Sequence, residues 1–263
     1  MDEARSWRLG VVSYLNARPL CAALEAHPKI ELAYDVPARL PALLDNGIVD
    51  AALVPVVDLF DERRSWQIVS DACIASDGET LTVRVFSRVP AESICRLYVD
   101  GDSHSSVVLA RIIWEESYGR TLEVVALSGG EYPSDADAIL LIGDKVVSSA
   151  PRGYKHQIDL GSAWKSLTAF PFVFAVWASQ QGVNVAGLAR LLCEARDRGA
   201  AEARVIAEQD GPRMGWPAAT ARHYLTACIR FTLGPRQRAG LERFSTLAKE
   251  YGFVSDPREL TYA

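Results

Sequence analysis

The sequence predicts an α/β fold of two lobes around a cleft, followed by a helical C-terminal segment. Three observations predict it. Short apolar runs alternate with helix-like stretches at the start of the chain, as a parallel sheet with crossover helices requires. The partners of those first strands arrive only when the chain returns near Phe172 to Trp177, after a second strand–helix set. From Asn184 onward the pattern is helical.

The elements follow in order. Leu9 to Val12 is a buried strand, and Pro19 to Ala26 is a helix with Leu20, Ala23 and Leu24 on one face. Ile30 to Val36 is extended. Pro37 to Asn46 is helical, with Pro in its first turn and Gly47 ending it. Ala51 to Pro55 is the third strand. Asp77-Gly78 marks a turn, after which Leu81, Val83 and Val85 alternate with polar neighbours. Arg96 to Gly119 reads as strand, loop and helix, and Leu122 to Leu127 and Ala138 to Ile142 as two more strands. Pro171 opens an unusually apolar strand, and helices are expected over Val185 to Ala207, Pro217 to Thr232 and Pro235 to Tyr251. Lobe 2, residues 88–170, is thus inserted into lobe 1, residues 1–87 plus 171–263. The chain would cross between lobes near Thr82 to Ser87 and near Phe170 to Ala175. A cleft bounded by two such crossings is the architecture of a small-molecule clamp.

Composition narrows the function. The 263 residues suit two lobes of ordinary size. A net charge of -5, without a Lys/Arg cluster interleaved with aromatics, argues against nucleic-acid binding. The charged opening "MDEARSWRLG" precedes an apolar run of only four residues, so no secretory signal is expected. No run approaches the roughly 18 to 20 apolar residues that span a membrane. Cys21, Cys73, Cys95, Cys193 and Cys228 are scattered and odd in number, which suits reduced thiols in a cytoplasm rather than disulfides or a zinc site. No His-x-x-x-His, Gly-x-Ser-x-Gly or Walker-type loop is present, so neither metal nor cofactor is expected.

Ligands in such sheets sit beyond the carboxyl ends of strands, and three stretches lie there. In "DGDSHSSVVLARII", Ser103, His104, Ser105 and Ser106 open a helix whose first amides lack intrahelical acceptors. They form an anion cradle, or simply a capped helix start with solvent-facing neighbours. In "VSYLN", Ser13 and Asn16 either hydrogen-bond a ligand or cap the next helix, with Tyr14 packed as core. In "LLIGDKVV", Gly143 permits close backbone approach, and Asp144 either caps, pairs with a Lys or faces the cleft. Pro55 ends its strand at the same side, and Arg18 is the nearest cation in sequence.

These stretches give the chain a family resemblance. "VSYLNARPL" is similar to the opening motif Ser-Tyr-Leu-Asn-x-x-Pro-Leu of the chorismate dehydratases of the futalosine route to menaquinone. "DSHSS" stands where that family has Asp-x-x-Ser-Arg-Thr-Ser, and "LLIGDK" and "DLGSAWKSLTAFPFVFAVW" resemble two further blocks. The likeness runs over residues 8–178. His104 departs from the usual Arg, Ser105 from Thr, Ala169-Phe170 from Gly-Leu and Thr82 from a common Ser. The resemblance implies a periplasmic-binding-protein-like (type II) fold and a hydro-lyase that removes water from chorismate to give 3-[(1-carboxyvinyl)oxy]benzoate. It implies no cofactor, a cytoplasmic location, and a monomer or homodimer that binds neither nucleic acid nor membrane. It also implies Asn16 and Thr82 as catalytic residues, with the substrate bound by Ser13, Tyr14, Pro55, the Ser103–Ser106 stretch, Gly143 and Asp144. The competing readings are a non-catalytic small-carboxylate binding protein, the related 1,4-dihydroxy-6-naphthoate synthase and a metabolite sensor. The sensor would need a DNA-binding segment for which the chain has little room.

Overall fold

A computed structural model describes residues 5–127, 132–133, 136–255 and 260–263. The chain runs β1 (Trp7–Val12), α1 (Arg18–Cys21), β2 (Ile30–Asp35), α2 (Leu40–Asp45), β3 (Ala51–Pro55), β4 (Trp66–Ser76), β5 (Val83–Ser87) and β6 (Arg96–Val99). It continues through α3 (Ser105–Tyr118), β7 (Glu123–Ala126), β8 (Ala138–Ile142), α4 (Lys145–Ser148), β9 (His156–Asp159), α5 (Leu160–Thr168) and β10 (Phe172–Gln180). The tail comprises α6 (Ala186–Ala201), α7 (Ala203–Arg213), α8 (Ala218–His223), a π-helical turn (Tyr224–Cys228), β11 (Ile229–Thr232) and α9 (Pro235–Glu250).

Two mixed sheets result. The first has the order β11-β4-β10-β3-β1-β2, and the second β7-β6-β8-β5-β9. β1 lies parallel between β2 and β3, which explains its near-continuous burial. Gly10 is required there: a Cβ would stand 3.0 Å from Ala52 Cβ and 3.2 Å from Leu40 Cδ2, so its absence lets α2 settle on the sheet. β10 returns antiparallel between β3 and β4, as the partner the early strands lacked. In the second sheet β6 and β7 run parallel, and the wholly buried β8 pairs parallel with β6 and antiparallel with β5.

Three expectations are corrected. Val83–Ser87 pairs with β8 and β9, so it belongs to the second sheet rather than to a first lobe ending at residue 87. The first crossing therefore falls at residues 77–82 rather than near Thr82 to Ser87, and the return comes just before Phe172, within the expected stretch near Phe170. The expected helix over Pro217 to Thr232 stops at His223. Ile229 and Phe231 are buried while Arg230 and Thr232 are exposed, and this period of two makes an edge strand on β4. The helix expected over Val185 to Ala207 is two, α6 and α7, meeting at Glu202. Among the described residues, no helix is long and apolar enough to cross a membrane.

Candidate functional site

Parallel strands put their carboxyl ends on one side, and the loops leaving those ends enclose a cavity of about 520 Å³, measured out to its mouth. The first sheet contributes Tyr14 and Asn16 after β1 and Pro55 at the end of β3. The second contributes Gly143 after β8, and Ser103, Ser105 and Ser106 at the start of α3. Thr80 and Thr82 enter from the first crossing. Val12, Ile74, Phe174 and Ile229 form much of the apolar wall. No Asp, Glu, Lys, Arg or His among the described residues lines this space.

The serines do not all remain free. Ser103 Oγ accepts the Ser106 backbone N–H at 3.1 Å and donates to Ser106 Oγ at 2.9 Å, so Ser103 caps the helix. Ser105 Oγ accepts the Val57 N–H at 3.2 Å, tying α3 to the segment after β3. Gly143, with φ at +74°, lies under the Tyr14 ring, where a Cβ would approach Tyr14 Cε2 to 2.6 Å. That close approach answers why Gly follows β8.

The sequence did not point to Tyr224. It is 1% exposed, lines the cavity, and its hydroxyl lies 2.7 Å from Thr82 Oγ1. Asn16, which also lines the cavity, has its Oδ1 buried without a partner. Tyr224 begins the π-helical turn, a distortion common at functional sites. No local pattern signals the residue, because 142 positions separate it from Thr82.

Three predicted residues stand outside the cavity lining. Ser13 is exposed on an adjoining groove, its backbone N–H bonded to Asp35. The His104 ring turns away, with Nδ1 2.8 Å from Asp58 Oδ2. The Asp144 carboxylate accepts the Leu15 N–H at 3.1 Å, and burial pushes its pKa up to about 6 despite that bond. Arg18 is paired with Glu25 and Asp210. The one His/Cys/Glu grouping found among the described residues is Glu79, His223 and Cys228, with ligand atoms within 4.8 Å of one another. None of them lines the cavity, and Glu79 already holds Arg84 at 2.9 Å.

A family model described as menaquinone biosynthesis matches residues 7–250. The chain belongs to that menaquinone-biosynthesis family. The chorismate dehydratase of Thermus thermophilus is 28% identical to it, over 92% of this chain and 94% of that one. Among solved structures, protein AF1704 of Archaeoglobus fulgidus superposes with a TM-score of 0.70 at 14% identity, covering 95% and 99% of the two chains. The periplasmic aliphatic sulphonate binding protein of Escherichia coli gives 0.62, also at 14% identity, covering 96% and 94%. The fold is therefore periplasmic-binding-protein-like, with the cavity between its two sheets. Family membership extends through the tail that carries Tyr224.

Proposed function

We propose that this protein is a chorismate dehydratase, a cofactor-independent hydro-lyase acting in the cytoplasm. The observation that carries this reading is a cavity of hydroxyls and amides without a fixed charge, in a chain of this family. Five unpaired cysteines suit a reducing compartment. Residues 1–82 with 171–263 would form one lobe and 83–170 the other, with chorismate held between them.

Chorismate presents two carboxylates and one alcohol. Ser105 and Ser106 supply hydroxyl donors to a carboxylate, with Ser106 held by Ser103, and Asn16 and Thr82 face the reacting carbons. The C3–H bond breaks as the substrate's own side-chain carboxylate takes the proton, a transfer that the site favours by holding both in place. The electron pair spreads through the ring diene onto the ring carboxylate, where neutral donors stabilise it. It then forms the C3–C4 double bond as hydroxide leaves C4, and hydroxide with the transferred proton makes water. One well-placed donor at such a charge contributes about 10²- to 10³-fold in rate.

The test mixes purified protein with chorismate, without metal or cofactor, and follows the mixture by chromatography with mass detection. Loss of one water with an aromatic product supports the reading. Chorismate bound but unchanged indicates a binding protein, and no binding removes chorismate from consideration.

A further inference from the structure

Asn16 and Thr82 line the cavity beside the buried Tyr224, and they present different hydrogen-bonding groups. Asn16 Oδ1 is buried without a partner, an acceptor left over. The Thr82 and Tyr224 hydroxyls lie 2.7 Å apart, and either can be the donor. When Tyr224 donates, the Thr82 proton is left over, since its backbone alternative, the Thr80 carbonyl, is 3.4 Å away, which is long for an O–H donor. The site then offers one acceptor, Asn16 Oδ1, and one donor, the Thr82 hydroxyl.

An acceptor beside a donor is the complement of an alcohol, which both gives and takes a hydrogen bond. We infer that Tyr224 is a positioning residue for the leaving hydroxyl: by donating to Thr82, it aims the Thr82 proton at the hydroxyl that departs from C4. This rests on the dehydratase reading and assigns the residue that gives that site its polarity. On this assignment Tyr224 acts through Thr82 rather than on the substrate's reacting atoms. Burial holds its phenol well above the usual range, so it keeps its proton at neutral pH. Its ring stacks on Trp216 with centroids 4.8 Å apart, a contact that Phe retains.

The experiment compares wild type with Tyr224→Phe, Thr82→Val and the double variant, in steady-state chorismate turnover and in equilibrium binding of the aromatic product, which lacks the hydroxyl. For Tyr224→Phe, kcat is expected to fall about 10²-fold with KM and product affinity unchanged within about two-fold. The double variant should be no slower than Thr82→Val, because Tyr224 acts through Thr82. An unchanged kcat for Tyr224→Phe, fully multiplicative losses in the double variant, or an equal loss of product affinity would each overturn the assignment. If Tyr224→Phe does not fold by near-UV circular dichroism, Tyr224→Met and Thr82→Val carry the comparison. If wild type binds chorismate without turning it over, the dehydratase reading fails by itself. The relay is then judged by binding: Tyr224→Phe should weaken chorismate at least ten-fold more than the deoxygenated ether, and equal weakening overturns it. A wild type that binds neither ligand overturns both.

Discussion

Asn16 and its two preceding neighbours enter different environments. Asn16 lines the uncharged cavity with the hydrogen-bonded pair Tyr224 and Thr82. Tyr14 and Leu15 instead join a charged seam between loops of the two sheets. There the Tyr14 hydroxyl donates to Asp102 Oδ2 at 3.2 Å, the Leu15 N–H to Asp144, and Lys145 pairs with both Asp100 and Asp102. Each charge in the seam has an opposite charge or a directed donor, as burial demands. On the dehydratase reading, the cavity stands empty between turnovers, and a fixed cation there would lose its partner each time product leaves. Neutral donors would carry no such cost, and they would suit a dianion whose charge shifts during reaction. The fold thus places charge where the sheets meet and keeps it out of the space where the ligand sits.

The strongest test of this division is Asn16→Ala. It removes the orphan acceptor beside Tyr224 and Thr82 while leaving the seam intact. A loss of about 10²- to 10³-fold in kcat is expected, with an unchanged melting temperature. A variant that instead unfolds would show that Asn16 belongs to the seam's structural work. Next comes Gly143→Ala. Its methyl would enter the Tyr14 ring at 2.6 Å, at a φ of +74° that disfavours a side chain, so about 2–4 kcal/mol of stability should be lost in denaturant unfolding. Unaltered stability would mean that the ring yields freely and that its bond to Asp102 holds little.

The same contrast explains what the sequence made legible. β1, β3 and β8 read as strands because burial on both faces leaves apolar runs with no competing period. Ser103 was legible because a helix start is local: the residue whose hydroxyl accepts a first-turn N–H, here that of Ser106, is one that precedes the helix. Tyr224 was not, since only the closing of the first sheet by β11 brings the tail beneath Thr82. β11 itself was misread as helix because four alternating residues follow directly on a helical turn. His104 shows the converse. Its place in a motif suggested a ligand contact, but Asp58, 46 positions away, draws the ring aside. Position in a motif fixes the backbone, and a distant partner decides where the side chain goes.

Asp144 tests the seam through pH. Its folded carboxyl titrates near 6 against an ordinary 3.8, chiefly because it is buried. The folded chain therefore holds this proton more tightly than the unfolded one. Its contribution to stability is complete below about pH 4 and is lost as pH rises through 6, a swing of up to about 3 kcal/mol. Asp144→Asn keeps an oxygen for the Leu15 N–H but carries no charge. It should exceed wild type in stability at pH 7 by about 1–2 kcal/mol, with the gap closing below pH 4. Turnover should persist, because the proposed elimination uses no protein base. Abolished turnover in a folded variant that still binds chorismate would make Asp144 the base and move it from the seam into the chemistry.

The smallest effect is expected at His104. Its side chain is 43% exposed and pairs with Asp58, which also holds Arg64 Nη1 at 2.6 Å. A contact this exposed contributes under about 1 kcal/mol, and Asp58 keeps Arg64 when the ring is gone. His104→Gln should therefore shift the melting temperature slightly and change the KM for chorismate by less than about two-fold, since the ring does not line the cavity. A ten-fold rise in KM would mean that the ring leaves Asp58 for the substrate when ligand arrives. The imidazole would then enter the cavity during binding, and the lining described above would be that of the empty site alone.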